Sequence, residues 1–137
     1  MDRIAALRTT TDLVVVGMGG GGIASGMAIA MKDARPELAV WGVQPEANPV
    51  LVEWLRAGRP VPVEEGTSVA EGLGARIEED SVTFPLALKY VDDTVVVSDE
   101  EIKDAMAFLL ERRLEQGPMD REAALDQLRE WWTRHSK

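Results

Sequence analysis

Five glycines crowd the segment from Gly17 to Gly22, and four of them, Gly19, Gly20, Gly21 and Gly22, are consecutive. Glycine admits positive φ and lets a ligand approach the backbone closely. The run follows Leu13-Val14-Val15-Val16 and precedes Ile23-Ala24-Ser25, so it joins a β-branched strand to a helix. Free N–H groups at a helix N-terminus, reinforced by the helix dipole, bind anions. A phosphate is the natural guest. A bare strand-to-helix turn needs fewer glycines than this.

Gly17, Gly19 and Gly22 also fit the G-x-G-x-x-G spacing of dinucleotide-binding folds. That reading needs an acid near the end of the second strand, and Glu46, just after Pro45, is the candidate. On the glycines alone, a dinucleotide-binding or regulatory module remains an alternative. Ser25 would either add a hydroxyl to the anion site or serve as a small packing residue.

Other chemistry is sparse. The chain has no cysteine, which excludes disulfides, thiolate metal sites and a cysteine nucleophile and suits a reducing cytoplasm. Its one histidine, His135, lies near the C-terminus and reads as a solvated tail residue. Glu78-Glu79-Asp80 reads as a solvated loop. The net charge of −9 repels nucleic acid on average. The apolar stretch from Leu13 to Met31 is broken by glycines and reads as strand, loop and helix, not as a membrane span. Met1 to Arg8 carries Asp2 and no long apolar run, unlike a signal peptide.

The elements that position the glycines follow from pattern. Residues 12–17 form a buried strand. The helix beginning at Ile23 ends before Arg35-Pro36, where proline disfavours helical geometry. Residues 39–43 form a second strand. Asn48-Pro49 starts a helix that stops at Gly58. Val61–Val63 is a candidate edge strand in a loop-rich middle. Ser81 to Tyr90 is helical, residues 94–97 form a third strand, and Ser98 with Glu101 makes a capping box. Asp120 caps a last helix, whose Trp131 and Trp132 are packing or interface anchors. Strand–helix alternation predicts an α/β fold: an open three-layer sandwich with a mostly parallel sheet and helices on both faces. Its open sheet edge needs a cover.

Several motifs in one order resemble a known family. The segment from Gly19 to Gly26 resembles the tetraglycine loop of the threonine dehydratase and serine racemase family, fold type II of the pyridoxal-phosphate (PLP) enzymes. Pro36 to Pro45 resembles the family's second strand, which ends in G-V-E-P. Thr67 to Gly72 resembles its T-x-A-[DE]-G segment, and Val91 to Met106 its VDD strand and following helix. The likeness spans about residues 12–113 and favours PLP over a dinucleotide.

The resemblance implies that Gly19, Gly20, Gly21 and Gly22, with the Ile23 amide, hold the cofactor phosphate. It places Glu71 and Gly72 near the cofactor ring, although a plain loop carboxylate is an equal reading for Glu71. It implies an ammonia-lyase of the threonine dehydratase type. Departures qualify this. The family lysine that bonds to the cofactor aldehyde lies upstream of the glycine loop, and none of Lys32, Lys89, Lys103 or Lys137 matches its motif. Without an amine there is no cofactor attachment. No catalytic residue is therefore assigned. The acids that bind a divalent cation in serine racemase-like members fall at Gln44 and Val50, so no metal is expected. The expectation is a phosphate-binding α/β domain over 1–113. The helix of 114–137 packs on it or on a partner, and the whole is a remnant or fragment inactive alone. The lysine would come from a second chain, unless the protein is an interaction domain whose last helix holds a homo-oligomer together.

Overall fold

The structure, a computed structural model, describes residues 11–74 and 76–135. These fall into two compact units that divide between Val97 and Ser98.

In the first unit, β1 (Leu13–Gly17), β2 (Ala39–Pro45) and β3 (Asp93–Val97) form one sheet in the order β1-β2-β3. Both pairings are parallel: Val16 lies opposite Gly42, and Gly42 opposite Thr94. Three helices connect the strands: α1 (Gly22–Ala34), α2 (Val50–Ala57) and α3 (Thr83–Tyr90). The α/β class and the parallel sheet are thus as the alternation predicts. Strand side chains alternate between faces. Val16 and Val40 enter the core with Ala24, Ala28, Leu51, Trp54, Phe84 and Ala87, so α1, α2 and α3 share one face of the sheet. Trp54 meets Phe84 edge-on, with ring centroids 5.7 Å apart. On the other face Leu13 and Val15 are 40% and 56% exposed, and among the described residues of this unit no helix covers them.

Local chemistry sets the boundaries. Arg35 follows α1 outside helical geometry, at φ −145° and ψ 88°, ahead of Pro36. Gly58 ends α2 at φ 67°, a left-handed cap that glycine adopts without strain. Val61–Val63 is not a strand. Pro60 and Pro62 have no N–H to give a ladder, and the Val61 carbonyl accepts the Trp54 indole N–H at 2.8 Å.

A clasp joins α1 to the sheet's N-terminal end. Asp92 exchanges hydrogen bonds with Val40: its amide donates to the Val40 carbonyl at 2.8 Å, and its Oδ2 accepts the Val40 N–H at 2.6 Å. Its Oδ1 accepts from Lys32 Nζ. Burial pushes the Asp92 carboxyl up. The Lys32 hydrogen bond, the Val40 amide and the Lys32 charge together outweigh that and hold it below its ordinary value.

The second unit comprises α4 (Asp99–Gln116) and α5 (Arg121–His135). The capping box is present: Ser98 Oγ accepts the Glu101 N–H at 3.2 Å, and Glu101 Oε2 accepts the Ser98 N–H at 2.8 Å. Asp120 caps α5 by accepting the Ala123 N–H at 2.9 Å. Trp131 packs on Phe108 of α4, with ring centroids 6.1 Å apart. The side chains of Trp132 and His135 lie outside the described residues. Among the described residues no helix is long and apolar enough to cross a membrane.

Candidate phosphate site

The glycine run leaves the C-terminal end of β1, where parallel α/β sheets bind ligands. Met18, which follows β1, donates its N–H to the Val43 carbonyl at 2.8 Å and is buried against Gly42. Gly21 takes φ 86°, and α1 begins at Gly22 with no side-chain cap. The Ser25 N–H bonds to the Gly21 carbonyl at 2.9 Å. Among the described residues no protein acceptor meets the amides of Gly20, Gly21, Gly22 or Ile23. A β-carbon on Gly20 would meet nothing within 4 Å, and one on Gly22 only Thr83 Cγ2 at 3.9 Å. Uncapped amides beside open backbone are what a phosphate dianion requires.

The loop's carbonyls, in contrast, are occupied. The fully buried Gln44 donates through Nε2 to the Gly19 carbonyl at 3.3 Å and accepts the Val52 N–H of α2 at 2.9 Å. Thr83 Oγ1, at the start of α3, donates to the Gly20 carbonyl. Ser81 Oγ lies 2.8 Å from Thr83 Oγ1 and accepts the Thr83 N–H at 3.3 Å. Gln44 stands where the sequence shows only a missing cation ligand, and Thr83 escaped notice altogether. The one available signal was the Ser-x-Thr pattern at a helix start, which reads as an ordinary cap.

The other candidate residues spread around this centre. Glu71 and Gly72 are exposed on a single 3₁₀ turn, Glu71–Leu73, whose Leu73 side chain lies against Gly17. They are not among the residues lining the open cleft of 530 Å³ that borders Gly20 and Gly22. That cleft carries Arg76 against Glu78 and Asp80, a net negative lining unsuited to a dianion. Ser25 is buried, and its Oγ has no partner among the described residues. Glu46 is exposed beyond β2. Lys32 is held by Asp92 about 15 Å along α1 from Gly22, at 1.5 Å per residue. Lys89 sits over the Tyr90 ring, 4.9 Å from its centroid.

A parallel α/β unit with uncapped helix amides at the strand ends is an arrangement suited to an anion. Comparison with known proteins narrows the class. The family described as "Pyridoxal-phosphate dependent enzyme" matches residues 3–118. The L-threonine ammonia-lyase of Thermotoga maritima is 46% identical over 101 residues, covering 74% of this chain and 25% of that protein. The structure of maize serine racemase matches with a TM-score of 0.70 and 29% identity over 79% of this chain and 33% of that one. Serine racemase from Dictyostelium discoideum matches with a TM-score of 0.66 and 28% identity, over 80% and 34%. The chain belongs to the pyridoxal-phosphate-dependent enzyme family. It spans about a quarter to a third of the length of these relatives.

Proposed function

We propose that this chain is the phosphate-holding part of a cytoplasmic PLP-dependent lyase of the threonine dehydratase type, and that it performs no lyase chemistry alone. The observation that carries the reading is the set of unpartnered amides from Gly20 to Ile23 beside open backbone. These amides and that of Gly19 hold the phosphate, and the positive end of α1 favours its charge. Glu71 and Gly72 lie toward the ring. When bound, PLP supplies an electron sink for carbanion chemistry. Lys32 and Lys89 are engaged with Asp92 and Tyr90, and neither they nor Lys103 match the family's lysine motif, so in this reading the attaching amine comes from a polypeptide segment other than the described one. The exposed Leu13 and Val15 face on edge strand β1 favours such a covering segment, in this protein or a second chain.

The test is to add PLP, record the absorbance spectrum, reduce with borohydride and search for adducts by mass spectrometry. The expected result is no site-specific lysine adduct, together with competition between PLP and inorganic phosphate for one site. A stoichiometric adduct on Lys32, Lys89 or Lys103 would overturn the claim of inactivity. Absence of phosphate competition would overturn the assignment of the glycine loop.

A further inference from the structure

We infer that Gln44 and Thr83 are positioning residues that aim the Gly20 and Gly21 amides at the anion. This rests on the phosphate reading above. Every described peptide bond is trans, so each carbonyl points opposite to the N–H of the next residue. The Gly19 carbonyl is turned toward Gln44 Nε2, which directs the Gly20 N–H away from Gln44. The Gly20 carbonyl is turned toward Thr83 Oγ1, which directs the Gly21 N–H away from α3. Two successive peptide planes of the most flexible residue type are thus fixed by side chains from β2 and α3.

Both clamps are themselves held. The Gln44 amide is fully buried, and its oxygen accepts from Val52, which fixes the amide's orientation and leaves the NH₂ facing Gly19. The Thr83 hydroxyl is seated beside Ser81 Oγ. Without these bonds, glycine peptides would flip at little cost and present a carbonyl dipole to the phosphate instead of an N–H. Gln44 and Thr83 touch no ligand in this scheme. They act by ordering donors before binding, and that ordering lowers the entropic cost of capturing phosphate.

The experiment uses the full chain with Thr83→Val, Thr83→Ser and Gln44→Leu. Inorganic phosphate and PLP are titrated separately, and amide NMR and thermal melting are recorded beside the titrations. Thr83→Val is expected to weaken phosphate binding about tenfold, the scale of one misdirected charge-assisted hydrogen bond. Its Gly21 amide resonance should shift before any ligand is added. Thr83→Ser keeps the hydroxyl and should restore both affinity and resonance. Gln44→Leu should displace the Gly20 resonance in the same way. If wild type binds and folded Thr83→Val binds equally well with an unmoved Gly21 resonance, the positioning role is overturned while the phosphate site stands. If wild type binds neither phosphate nor PLP, the phosphate reading and this inference are overturned together.

Discussion

The Met18 thioether occupies the space that a β-carbon on Gly42 would need. Met18 immediately precedes the tetraglycine run and is almost completely buried, while Gly42 lies on the central strand β2. Gly42→Ala is therefore expected to destabilise the first unit by about 1–3 kcal/mol through overpacking. Urea denaturation checks this, and a midpoint equal to wild type would show that Met18 has room to move.

Gly20 and Gly21 should respond differently to alanine. At Gly21 the new β-carbon would lie 2.7 Å from Leu51 Cδ2 on a backbone at φ 86°, so stability should fall by about 1–2 kcal/mol or more. At Gly20 it would meet no protein atom, so the fold should hold. Phosphate affinity should nevertheless drop, because the methyl group crowds the anion's approach. Paired thermal melts and phosphate titrations separate the two effects. Equal behaviour of the two variants would contradict the assigned geometry.

The Asp92 clasp predicts a specific pH response. Its carboxyl is held below the ordinary value, so the stabilisation is fully present above the unfolded carboxylate pKa of about 4. It is lost as pH falls through the lowered native value. The Asp92 side chain is 40% exposed, so the effect should stay within about 1 kcal/mol. Asp92→Asn should flatten the stability profile between about pH 5 and pH 2, as measured by denaturant midpoints. A profile parallel to wild type would remove the clasp from the acid response.

Glu101→Ala should break one arm of the capping box and leave the Ser98 N–H without its carboxylate acceptor. The expected loss is about 0.5–2 kcal/mol, confined to the unit holding α4 and α5. Hydrogen exchange should register faster exchange in the first turn of α4 and no change in the β1–β2 ladder. Uniform acceleration across both units would instead show that they unfold as one.

The sequence made the scaffold legible because its signals are local. The run Leu13-Val14-Val15-Val16 announces a strand, Arg35-Pro36 a helix end, and Ser98 with Glu101 a cap, and each stands where expected, but the strand is not buried on both faces, since Leu13 and Val15 are exposed. The glycine run between strand and helix was equally visible, and it stands between β1 and α1. Its two clamps were not. Gln44 meets Gly19 and Val52, and Thr83 meets Gly20, only after β2 and α3 are laid beside the loop. In one dimension Gln44 is merely a residue that is not a carboxylate. Val61–Val63 shows the converse error: a β-branched pattern overridden by Pro60, Pro62 and one indole hydrogen bond.

The strand connections also bear on the order in which the sheet assembles. Leu13 pairs with Ala39, but Gly42 pairs with Thr94 across roughly twice the length of chain. Each doubling of a closing loop adds only about 0.6 kcal/mol of entropy. The β2–β3 closure must nevertheless await α2, the long loop after it and α3, whereas β1, α1 and β2 form a compact local unit. The glycine loop belongs to that early unit, and Thr83 arrives with the later segment. A folding intermediate would therefore carry the loop before the Gly20–Gly21 peptide plane is fixed by Thr83, and ligand competence would come at the end of folding.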